Sequence, residues 1–212
     1  MGSFCGLCQQ SVQGLASHRG LCEHCFADLP WRENPEANDL DPALIEKTVV
    51  PWHYRESAQH WILAAKQAQG LLAARLLGTL LAETLVDVYG PGELPELIIP
   101  VPLSWRRLLA RGHNQAQWIA APVSRSLGLP LIARGVRRRR HTALQPGLSA
   151  TARRENLAGA FATKIRFQGQ RVAIVDDVLT TGATVETLAA CLLEAGADSV
   201  HCWAAAAADH ER

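Results

Sequence analysis

The chain has 212 residues, 48% of them hydrophobic, and a formal net charge of +1. That length buries one sizeable core, and the composition excludes a disordered or low-complexity protein. The most apolar helical stretch, residues 71–86, is broken by Arg75 and Glu83 and is too short to span a bilayer, so no membrane insertion is expected.

The near-neutral total hides a segregation. From Glu23 to Glu96 there are twelve acids and five Lys/Arg, whereas from Arg134 to Arg171 there are ten Lys/Arg and one acid, Glu155. The middle of the chain therefore calls for anions. The start, MGSFCGLC, lacks the charged and then apolar order of a secretory leader, which makes the cytoplasm the expected location.

Cys5, Cys8, Cys22 and Cys25 form C-x2-C-x13-C-x2-C. Two such pairs can set four thiolates tetrahedrally around Zn²⁺. A reducing cytoplasm disfavours disulfides here, and the duplicated pair disfavours a redox dithiol. Four thiolates leave no open position, so the expected zinc is structural and supplies folding energy to a segment with little core of its own. Residues 1–29 are expected to form this zinc ribbon, 30–42 a proline-rich connector and 43–212 the main domain.

Thr48–Tyr54 has strand character, and Glu56–Val86 reads as helical with a turn at Gly70. Lys66, before that turn, is by composition an ordinary solvated lysine. Leu97–Val101 is a second strand, followed by a helix Trp105–Ala110 capped by Ser104 and ended by Gly112. Asn114 caps a longer helix, Gln115–Leu127. Arg106, Arg107, Arg111 and His113 thus follow the C-terminal end of a strand, where open α/β sheets bind ligands. Arg134–Arg154 carries seven arginines with no apolar periodicity from Arg137 to Ser149, the pattern of a mobile loop fit to serve as a lid.

Arg171–Ala195, RVAIVDDVLTTGATVETLAACLLEA, is the most informative stretch. Arg171–Val175 suits a buried strand of a parallel sheet, and Val185–Ala195 has apolar residues at helical spacing before Gly196. Between them Thr180, Thr181, Gly182, Ala183 and Thr184 are small enough for backbone N–H groups to close around an anion, with the positive end of the next helix aimed at the same spot. Asp176 and Asp177 are adjacent negative charges that need cations or hydroxyl donors, and vicinal ribose hydroxyls offer two. Together these features describe a ribose 5-phosphate site. Ser199–Ala208 reads as a further buried strand, and Cys191 and Cys202 as reduced core cysteines.

VAIVDDVLTTGAT resembles the PRPP-binding motif (PRPP is 5-phosphoribosyl 1-pyrophosphate) of the type I phosphoribosyltransferases. The resemblance implies that Asp176 and Asp177 form the catalytic acidic pair on the ribose 2′ and 3′ hydroxyls, with Thr180 to Thr184 on the 5-phosphate. The order of the cysteine ribbon, Lys66 with Gly70, IIPVPLSWRRLLARGHNQA, RRRRHTALQPGLSATARRENLAGAF and VAIVDDVLTTGAT is similar to the ComF/GntX family over nearly the whole chain.

That likeness implies a type I phosphoribosyltransferase-like α/β fold, a parallel sheet flanked by helices with a small N-terminal zinc ribbon. It implies Mg²⁺ with PRPP, and Lys66, Arg106, Arg111, Arg138, Arg139 and Arg153 as candidates for the pyrophosphate or nucleic-acid phosphates. It also implies a role in competence and the use of external DNA, with single-stranded DNA and DNA-uptake proteins as candidate partners. The alternative is a PRPP-sensing, DNA-binding component without turnover. His113 departs from the family pattern, which commonly has Phe or Tyr there.

Overall fold

A computed structural model describes residues 3–6, 8, 10–12, 17–18, 20–37, 40–139 and 159–208. The N-terminal segment holds short strands at Ser3–Phe4 (β1), Ser11–Val12 (β2), Ser17–His18 (β3) and Leu21–Cys22 (β4), then helix Glu23–Ala27 (α1). Lys47–Val49 (β5), Trp52–His53 (β6), Glu56–Ala65 (α2), Leu71–Val88 (α3) and Leu97–Pro100 (β7) follow. Next come Trp105–Arg111 (α4), Gln115–Leu127 (α5), Val136–Arg138 (β8) and Phe161–Thr163 (β9). Arg171–Leu179 (β10), Ala183–Glu194 (α6) and Ser199–Ala207 (β11) complete the chain.

The central sheet runs β5–β11–β10–β7, with β6 also on β11 and every pairing parallel. Its two inner strands are apolar along most of their length because helices or the β8–β9 hairpin cover both faces. Ala173 and Val175 pack with α2, α3 and α5, whereas Val172 and Ile174 pack with α6 and the hairpin.

Gly78 of α3 has no room for a Cβ against the Ile119 carbonyl, so α5 lies close on α3 and its N-terminus reaches the end of the sheet. The cysteine segment contributes Cys5, Leu21, Cys25 and Leu29 to the same layer, against Leu76 of α3.

Several sequence expectations are refined. The strand read as ending at Val175 continues through both aspartates to Leu179, because β11 pairs with it as far as Ala207. The connector also pairs with the sheet: Trp31 bridges Trp52 and Glu36 bridges Val49, so it runs antiparallel along β5 and β6. Inside the arginine-rich run Val136–Arg138 forms a strand with Phe161–Thr163, since Val136 and Phe161 both bury against the α6 layer. The rest of that expected loop, residues 140–158, lies outside the described residues. Cys202 is a core cysteine, but Cys191 is half-buried and lines a cavity of about 320 Å³ beside α6.

Candidate functional site

Polar side chains from four segments converge at the C-terminal ends of β7 and β10. Alternation along β10 sends Asp177 toward the α2/α3/α5 layer and Asp176 toward the hairpin layer. Asp177 is 6% exposed. Its Oδ2 lies 2.9 Å from Lys66 Nζ and accepts a hydrogen bond from Gln115 Nε2 at 3.4 Å. Arg111 stands behind this amide, its Nη1 donating to Gln115 Oε1 at 3.0 Å. A buried carboxylate is costly unless so compensated, and here an ammonium and a guanidinium-backed amide share one oxygen.

Asp176 has a different environment. Its Oδ1 accepts the Asp177 backbone N–H at 2.8 Å. Burial first, and then the charge of Asp177, push its carboxyl well above the usual aspartate range, against a smaller pull from Lys66. Arg138 acts on it from the hairpin. That guanidinium lies 5.6 Å from the Phe161 ring and is pushed down by burial and by Arg107, with Asp176 opposing. The two carboxylates therefore differ in kind: one is tied to Lys66, while the other holds its proton to higher pH.

After β10 the chain turns through Thr180–Gly182 into α6. Gly182 has φ +74°, and a Cβ there would run into the tip of Leu40, so glycine is strongly favoured. As N-cap it offers no side-chain hydrogen bond to the helix. The first-turn N–H groups of α6 carry the positive end of the helix dipole, the ordinary setting for an anion. Thr180 and Thr181 are exposed, Thr184 is half-buried, and Gly182 and Ala183 are buried.

The segment from Arg111 to Gln115 frames Asp177. Asn114 Oδ1 accepts from Ala116 N at 3.1 Å, capping α5, and Asn114 Nδ2 donates to the Val101 carbonyl at 3.0 Å. His113 is buried, and its ring stacks on Trp118 with centroids 3.7 Å apart and planes 3° from parallel. Its Nδ1 lies 3.0 Å from the Arg111 carbonyl and its Nε2 3.0 Å from the Ala65 carbonyl.

The remaining candidates are spread out. Lys66 is on Asp177 rather than free in solvent, and Arg111 is on Gln115. Arg106 is exposed on α4 over the Trp105 ring at 5.5 Å. Arg139 is exposed and, with Arg134, Arg137 and Lys164, lines a groove of about 460 Å³ on the outer face of the hairpin. No carboxylate belongs to that lining. Arg153 lies outside the described residues. The roles of Gln115 and His113 escape sequence reasoning, because helical periodicity says nothing about which distant carboxylate an N-terminal glutamine meets.

The four N-terminal cysteines also converge. The Sγ atoms of Cys5, Cys8, Cys22 and Cys25 all lie within 4.8 Å of one another, an arrangement that could hold a metal ion. Cys25 N–H points at Cys22 Sγ at 3.4 Å, and Cys22 is the N-cap of α1. Without a cation, burial and the neighbouring thiols push the Cys25 thiol up; thiolate ligation by a divalent ion reverses that penalty.

Residues 115–212, which contain this acid-bearing strand, glycine turn and helix N-terminus, match the family described as the phosphoribosyl transferase domain. Over its length the chain is 35% identical to "Competence protein F" of Haemophilus influenzae, covering 97% of this chain and 90% of that protein. It is 42% identical to "DNA utilization protein YhgH" of Escherichia coli K12, over 93% and 88% of the two chains. "Competence protein ComFC" of Bacillus subtilis is 34% identical over 47% of this chain and 39% of that protein. The chain belongs to the ComF/GntX family of phosphoribosyltransferase-like proteins. Among the described residues no helix is long and apolar enough to cross a membrane.

Proposed function

We propose that the chain binds PRPP at the end of β10 and transfers its phosphoribosyl group to an acceptor within a process of DNA uptake or use. The observation that carries this reading is the juxtaposition of Asp176 and Asp177 with the Gly182 turn and the N-terminus of α6. In it the acidic pair takes the ribose hydroxyls, and Thr180, Thr181, Gly182, Ala183 and Thr184 take the 5-phosphate.

Lys66 and Gln115 both meet Asp177 on Oδ2, which holds the carboxylate in place for a ribose hydroxyl. Lys66, Arg107, Arg111 and Arg138 supply positive charge near the acids for pyrophosphate as it departs, with Arg106 farther out on α4. Mg²⁺ bound with PRPP would neutralise phosphate charge, and Asp176 and Asp177 are the carboxylates that would hold it. The chain's own contribution is positioning and fixed charge, with no protein nucleophile.

The test is pyrophosphate release from PRPP with Mg²⁺ and a panel of bases, oligonucleotides and cell extract. Release that depends on both acids, and is lost in Asp176→Asn and Asp177→Asn, supports transfer. PRPP binding with no release from any acceptor favours the sensor reading instead.

Nucleic-acid binding is a second reading, supported by the carboxylate-free groove of Arg134, Arg137, Arg139 and Lys164. Replacing Arg137 and Arg139 by Ala should weaken oligonucleotide binding and lower the slope of log affinity against log salt by about two. An unchanged slope would remove this groove from the argument. Structural zinc on Cys5, Cys8, Cys22 and Cys25 completes the proposal. Protein purified under reducing conditions should carry about one Zn²⁺ per chain. A folded, metal-free protein would count against it.

A further inference from the structure

His113 touches three helices that surround Asp177. Its Nε2 faces the carbonyl of Ala65, the last residue of α2, and its Nδ1 faces the carbonyl of Arg111, the last residue of α4. Carbonyls in a final helical turn have no partner within their own helix. A carbonyl only accepts and a neutral imidazole carries one N–H, so the ring donates to one of the two carbonyls in either neutral tautomer and to both only as the imidazolium. The flat stack on Trp118 fixes the ring against α5. Little else secures α4, which buries none of its seven residues.

The residues beside these carbonyls act on the acid. Lys66 follows Ala65 directly, and its ammonium is the cation on Asp177. Arg111 holds Gln115, whose amide reaches the same carboxylate oxygen. We propose that His113 is a positioning residue whose ring braces the Lys66 turn against the Arg111 loop and so sets both supports on Asp177, the Lys66 ammonium and the Arg111-backed Gln115 amide. A ring without nitrogens, such as Phe, fills the stack on Trp118 but leaves both carbonyls unbound. The support of Asp177 in this chain therefore depends on a polar brace that a hydrophobic residue at position 113 does not provide.

The consequence for ligand binding rests on the PRPP reading above, whereas the brace itself does not. The test uses the full-length protein and His113→Phe, with His113→Gln as a second variant that retains one donor. Thermal unfolding first establishes which variants are folded.

The direct readout is the rate at which Lys66 is acylated by a small amine-reactive ester, followed by mass spectrometry. Losing the brace should free the ammonium from Asp177 and raise that rate about fivefold or more in His113→Phe, with His113→Gln between. PRPP titration should show a loss of affinity of about five- to tenfold in His113→Phe. That loss should shrink in a Lys66→Met background, where only the part that runs through Arg111 and Gln115 is left.

An unchanged acylation rate in a folded variant overturns the brace. So does an affinity loss that persists undiminished in the Lys66→Met background. If His113→Phe does not fold, His113→Gln decides by the same rate. If the wild-type protein binds no PRPP, the PRPP reading fails, and the acylation rate still decides the brace.

Discussion

Lys66→Met tests whether the ion pair on Asp177 is a structural element of the site. Methionine keeps the length and apolar stem of lysine but removes the charge 2.9 Å from Asp177 Oδ2. At an effective dielectric of 20 that distance corresponds to about 6 kcal/mol of raw attraction. Most of it is offset by desolvation, because the Asp177 side chain is 9% exposed and that of Lys66 25%.

Removing only the cation strands a buried carboxylate beside a second acid, and should destabilise the fold by about 2–3 kcal/mol. Asp177→Asn removes the charge that needs the cation, so the double variant should recover part of the loss. The expected coupling in a double-mutant cycle is about 1–2 kcal/mol. Urea unfolding of the four proteins at pH 7 measures it, provided the slopes agree. A coupling below about 0.3 kcal/mol would refute the view that Lys66 and Asp177 stabilise one another.

Asp176→Asn should change the pH dependence of stability. A carboxyl raised in the folded state binds more protons there than in the unfolded chain, so its presence makes stability fall as pH rises from the usual aspartate range through the raised value. Unfolding measured from pH 4 to 8 should show that downward trend in the wild type and a flatter profile in the variant; identical profiles would contradict the assignment. Gly182→Ala should cost about 1–3 kcal/mol, from the left-handed backbone and the collision with Leu40. Leu40→Ala should relieve only the collision. Thermal unfolding separates the two, and a Gly182→Ala protein as stable as wild type would show that the turn rearranges freely.

Some elements were legible in the sequence and others were not, for identifiable reasons. Asn114 capping Gln115–Leu127 was readable because a cap and its helix are adjacent in the chain. The strand of the arginine run was hidden because Val136 is the one clear apolar marker in Val136–Arg138, and the strand it pairs with, Phe161–Thr163, lies far along the chain. Lys66 carried no signal beyond a resemblance, since a lysine at a helix end is ordinary until a buried acid is found beside it. The pairing of the connector with β5 and β6 was hidden because it uses backbone groups that any residues supply.

What the sequence alone determined is local: two cysteine pairs spaced for one metal, and a strand, acidic pair, small turn and helix written consecutively from Arg171 onward. Such features depend on neighbours in the chain, and residue types and period report them directly. Only the tertiary structure decided that Lys66, Gln115 and Asp177 meet, that Arg138 works on Asp176 from the opposite face, and that His113 joins the ends of two helices. Those contacts arise from the packing of α2 on α3 and of α3 and α5 on the parallel sheet. Distances across packed elements are set by the whole core and by no single stretch of the chain.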